Sequence, residues 1–106
     1  MAYNDTLSPA LRYATQIGEP TANSKPPLAT VTEMWADATA ATGAAFRAAR
    51  LSDSGHTGLA LQRAKEIEAL YLGGSVLLAK GSIGKDAEST SSRLLARAEA
   101  LSADLI

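Results

Sequence analysis

A chain of 106 residues, 46% hydrophobic and 20% charged, suits one globular domain and leaves no room for two full cores. Its net charge of −1 gives no electrostatic case for gripping nucleic acid phosphates. The absence of cysteine excludes disulfides, thiolate metal sites and a cysteine nucleophile, and suits a reducing compartment.

Much of the apolar share is alanine, which favours helix but buries little area per residue. The aromatics are Tyr3, Tyr13, Trp35, Phe46 and Tyr71. A thin Leu/Ala core with close helix approach is expected. The opening Met1-Ala2-Tyr3-Asn4-Asp5 is polar and does not read as a targeting signal. No apolar stretch approaches the ~20 residues that span a bilayer.

Taken in chain order, Ser8-Pro9 opens a short helix expected from Pro9 to Ile17, because proline suits the first helical position. Gly18 to Ala29 contains three prolines and reads as a loop or extended arm, with Leu28 as a hydrophobic staple. Residues 1–29 are therefore set apart from a bundle over 30–106. Thr30-Val31-Thr32-Glu33 reads as a capping box for a helix from Val31 to Arg50. Its stripe is Val31, Met34, Trp35, Ala38, Ala41, Ala45, Phe46, Ala48 and Ala49, and Gly43 is its weak point.

Ser52 to His56 reads as a turn. The next helix starts near Thr57 or Gly58, with Ala60, Ala64, Ile67, Leu70, Tyr71, Gly74, Leu77 and Leu78 as its stripe. Gly73-Gly74 inside it predicts a kink or a close helix crossing. Gly81 to Gly84 breaks the chain again. The last helix opens near Asp86 and carries Ala87, Ser91, Leu94, Leu95, Ala98, Leu101 and Leu105. No strand pattern competes. The fold class expected is all-α: three main helices, a short N-terminal helix and a proline-rich arm.

Chemistry is hard to place on this chain. His56 is the single histidine and reads as a solvated turn residue, with neither metal-site nor triad spacing around it. Glu33 and Asp37 sit where a helix dipole stabilises negative charge anyway. Glu66 and Glu68, two apart, point in different directions. Gly81-Ser82-Ile83-Gly84-Lys85 has the wrong spacing for a phosphate loop and reads as a helix–helix turn. No catalytic, cofactor or metal residues are assigned, and an enzyme is not expected. The candidate partner surface comprises Trp35, Arg47, Arg50, Arg93, Arg97, Leu105 and Ile106. Trp35 is either a core anchor or an interface hot spot.

The run from Pro27 to Ile106 resembles head–tail connector proteins of long-tailed bacteriophages, also called adaptor or head-completion proteins. The likeness lies in arrangement. A capped helix opens at Thr30-Val31 and passes Ala38-Thr39-Ala40 to Arg50-Leu51. A short turn leads to Leu61-Gln62-Arg63-Ala64-Lys65-Glu66-Ile67-Glu68-Ala69-Leu70-Tyr71, then a glycine break and a last helix. The resemblance implies a homo-oligomeric ring, twelve-fold in that family, in the virion neck. Such a ring binds the portal on one side and a stopper or tail-completion protein on the other. Double-stranded DNA passes through it without sequence readout, and no cofactor or membrane is involved. The competing readings are a small cytoplasmic helical adaptor or regulatory module and a helix-turn-helix DNA binder. The latter is disfavoured by Glu66 and Glu68 beside Arg63 and Lys65.

Overall fold

The computed structural model describes residues 3–14, 21, 23, 27–52, 55–79 and 85–104, with side chains at all of these except 8, 78, 79 and 85–91. Among them the fold is all-helical: one helical turn, α1 (Leu7–Ala10), and three long helices, α2 (Leu28–Ala48), α3 (Gly58–Ala79) and α4 (Lys85–Asp104).

α3 is the central helix, packed against both α2 and α4, which barely meet each other. Its sequence explains this position. From Ile67 to Leu77 it is apolar on nearly every side, and such a helix needs neighbours all round. Ala64, Ile67, Ala69, Leu70, Leu72, Val76 and Leu77 are all buried. The buried surface is thus wider than the single stripe expected from spacing, and Ala60, assigned to that stripe, is exposed. α3 also runs unbroken through Gly73-Gly74. The glycine serves close approach instead of a kink. A Cβ added at Gly73 would lie 3.0 Å from the Tyr13 Cβ and 3.5 Å from Leu94 Cδ1 of α4.

α2 begins earlier than the expected capping box. Pro27, with φ −70° and ψ 158°, precedes Leu28, and no side chain caps the end. The Val31 N–H already donates to the Pro27 carbonyl at 3.0 Å. Thr30 and Glu33 therefore lie inside the helix. The physical reason is that Leu28 and Ala29 are good helix formers directly behind a proline whose own dihedrals suit a helix start. Leu28 and Ala29 accordingly belong to α2, not to an arm.

The other end of α2 closes in a Schellman motif. The Leu51 N–H donates to the Phe46 carbonyl at 2.9 Å and the Arg50 N–H to the Arg47 carbonyl at 2.9 Å. Arg50 occupies the left-handed position that this motif usually gives to glycine, with φ 61°. Arg50→Gly is therefore expected to stabilise the protein by about 0.5–1 kcal/mol, net of a lost favourable charge at the helix end. A higher urea midpoint with an unchanged slope checks this.

Residues 3–14 form a strap across α2 and α3. The helix expected from Pro9 to Ile17 is only the single turn Leu7–Ala10, and residues 15–17 lie outside the described residues. After Ala10 the backbone tightens into i→i+3 bonds, Arg12 N–H to the Pro9 carbonyl at 3.3 Å and Ala14 N–H to the Leu11 carbonyl at 2.8 Å. The turns bury Ala10, Leu11 and Ala14 with Val31, Ala38, Leu72, Val76 and Leu77 in the larger core. A smaller core holds Phe46, Ala64 and Ile67, and Tyr3, Tyr71 and Leu101 pack on it. The strap thus reaches both cores. Most of the expected arm lies outside the described residues; Thr21 within it accepts the Leu28 N–H at 2.8 Å.

Candidate functional site

Among the described residues, the two glutamates of α3 gather long-range polar contacts from several segments of the chain. Of these residues, Glu68 is the one charged residue that is fully buried. Helix α3 carries it on the same side as Ala64 and Leu72, one turn apart each way, so it is drawn under α2 and the strap.

Glu68 Oε1 accepts from the Asn4 backbone N–H at 3.1 Å, from Asn4 Nδ2 at 3.0 Å and from Trp35 Nε1 at 2.7 Å. Its Oε2 accepts from the Tyr3 backbone N–H at 2.9 Å. The Thr39 hydroxyl lies 2.9 Å from Oε2 and 2.9 Å from the Trp35 carbonyl, with one proton to share between them. The second Asn4 amide hydrogen goes to the Lys65 carbonyl at 3.1 Å. Three chain segments therefore converge on one carboxylate. Hydrogen bonds to an ionised acceptor are roughly twice as strong as neutral ones, which is how a buried charge is tolerated here.

Glu66 makes a second, more exposed cluster. Arg12 Nη2 lies 2.9 Å from its Oε2, and Arg97 Nη2 lies 3.6 Å from its Oε1. The Tyr13 hydroxyl donates to Oε1. The Arg12 guanidinium also sits 5.5 Å above the Tyr13 ring and reaches Asn4 Oδ1 at 3.5 Å, linking the two clusters. Glu66 and Glu68 do point apart, as their spacing implied, yet both hold the same strap.

Burial pushes the Tyr13 phenol above its ordinary value of 10.0, and the bond to Glu66 and that carboxylate's charge add to the rise, against a smaller opposing pull from Arg12. A proton held more tightly in the folded state gives stability that is complete below the unfolded value and lost as pH rises through the folded one. The contribution of Tyr13 to stability should therefore stay level in mildly alkaline buffer and fall only above about pH 10. Denaturant midpoints measured from pH 8 upward check this, and Tyr13→Phe should remove that part of the fall.

The residues assigned to a partner surface divide between these clusters and the outside. Trp35 is half-buried, packs against the larger core and spends its indole N–H on Glu68. Arg97 is exposed and reaches Glu66. Arg47 and Arg50 close α2, Arg93 is exposed on α4, and Leu105 and Ile106 lie outside the described residues. The reading of His56 as a solvated residue is overturned. It is half-buried, its ring centroid 4.2 Å from that of Phe46 and 5.5 Å from that of Tyr3, and Nε2 meets the Ser52 carbonyl. Tyr3 stacks on Phe46 in turn, at 6.3 Å. The local turn sequence carried no sign of these distant rings.

Among the described residues, no group of three or more His, Asp or Glu side chains gathers where a metal could bind. No helix among them is long and apolar enough to cross a membrane. Among the described residues, the large hydrophobic residues left exposed are Leu28 at 40%, Leu51 at 46% and Leu59 at 65%. No family model, curated protein or solved structure matches the chain.

Proposed function

We propose that this chain is a non-catalytic structural subunit that assembles with copies of itself into a ring at the neck of a phage particle. There it joins the portal to the stopper or tail-completion protein and lets DNA pass. The observation that carries the reading is the placement of the exposed leucines. Leu51 and Leu59 flank the α2–α3 turn, whereas Leu28 opens α2 at its other end, about 30 Å away along 21 residues. A ring requires two different faces, one meeting the other on the next copy. Apolar residues at opposite ends supply such a pair. The near-neutral charge suits a lumen in which DNA slides.

Both oxygens of the buried glutamate are occupied by donors that hold the fold, which supports a structural role for the polar cluster in place of a catalytic one. The test is size in solution and in particles. Light scattering and electron microscopy of the purified protein should show a closed ring of about a dozen copies, and antibody labelling should fall at the head–tail junction. A monomer or dimer at every concentration, absent from virions, overturns the reading in favour of a small helical adaptor.

A further inference from the structure

We propose that in the assembled protein the strap, residues 3–14, docks on a second copy of this chain, so that Tyr3 and Asn4 of one copy fill the Glu68 seat of its neighbour. This inference rests on the self-assembly reading above. The seat is selective and complete. Glu68 takes two backbone N–H groups and one side-chain amide from the strap, and Glu66 takes Arg12 and Tyr13. Ala10, Leu11 and Ala14 add an apolar half to it. None of these contacts depends on which copy the strap comes from, so exchange keeps them all, as domain swapping does generally.

The chain has the reach. From Ala14 to Leu28 there are fourteen residue steps, spanning up to about 46–50 Å, against a longest molecular dimension of 39 Å. Among the described residues, using the full length breaks the turn-closing bond from the Leu28 N–H to the Thr21 carbonyl, which alone costs about 1 kcal/mol. With that bond kept, the seven steps from Ala14 to Thr21 still span about 23–25 Å, more than the 18 Å depth of the molecule.

The seat is also continuous with exposed apolar surface. Tyr3 lies against Phe46 and His56, beside the turn that carries Leu51 and Leu59. A neighbour delivering its strap there is placed to cover those leucines. Strap on one side and seat on the other make a head-to-tail contact, the kind that closes a ring.

The chain contains no cysteine, so engineered pairs read out cleanly. A Cβ at residue 73 lies 3.0 Å from that of Tyr13, a few tenths of an ångström inside the usual disulfide range of about 3.5–4.5 Å. Full-length Tyr13→Cys and Gly73→Cys chains are mixed, assembled and oxidised. Exchange predicts a covalent two-copy band from the mixture, absent when either variant is oxidised alone, and a ladder from the double variant. A single-copy product from the double variant, with no band from the mixture, overturns exchange; if those particles are rings by size, the ring reading stands. A closed dimer with a two-copy band upholds exchange and overturns the ring. Should the Gly73→Cys chain misfold, mixed isotope-labelled and unlabelled wild-type chains decide instead. Intermolecular Overhauser contacts between the Trp35 indole of one copy and Asn4 of another are expected, and purely intramolecular ones overturn the proposal.

Discussion

Glu68→Ala should cost about 3–5 kcal/mol, a large share of the stability of a domain this size. The substitution removes the acceptor from four N–H groups and the shared Thr39 hydroxyl at once, in a site that is fully buried. Each buried donor left unpaired costs about 1–3 kcal/mol, and partial entry of water keeps the total below the sum. Folded domains of this size have about 5–15 kcal/mol in all. Glu68→Gln keeps the shape and one acceptor oxygen, but its amide hydrogens face donors, so an intermediate loss of about 1–3 kcal/mol is expected. Urea unfolding followed by Trp35 fluorescence measures both, because the indole N–H itself binds Glu68. A Glu68→Ala midpoint within error of wild type would show that the strap does not depend on this carboxylate.

Phe46→Ala should cost a similar amount, about 3–5 kcal/mol, for a different reason. Phe46 is 1% exposed and is the largest member of the smaller core, whose other fully buried members are Ala64 and Ile67. So small a cluster has little to collapse into the cavity, which puts the loss at the upper part of the usual range. Tyr3 and His56 lose the ring they stack on as well. A double-mutant cycle with His56→Ala should return a coupling of about 0.5–1.5 kcal/mol, whereas a solvated His56 would return none. Thermal and denaturant midpoints of the four proteins give the answer.

The three long helices were legible because their cause is local. Apolar residues at helical spacing and breakers at Gly81 to Gly84 place α2, α3 and α4 to within a few residues. The start of α2 was not, because a Thr–Glu capping pattern outweighed the plainer fact that a helix can begin directly behind Pro27. His56 and Tyr3 were missed because their partner Phe46 is distant in sequence. Glu68 does carry a sequence signal: it is the one charge in an all-round apolar run from Ile67 to Leu72. A charge with no solvated face on its helix must find donors elsewhere, and a polar Tyr-Asn near the start of the chain offers them. Which donors would come could not be read locally, since the contacts from Asn4 to Glu68 close a loop of 64 residues.

The backbone amides of Tyr3 and Asn4 belong to no helix of the fold, yet both are held. Amides outside regular helices ordinarily trade their hydrogens with solvent quickly. Here both amide hydrogens point at a carboxylate sealed from water. In deuterated buffer they should retain their protons about as long as the amides in the middle of α3, which extends the slow-exchanging set beyond the three long helices.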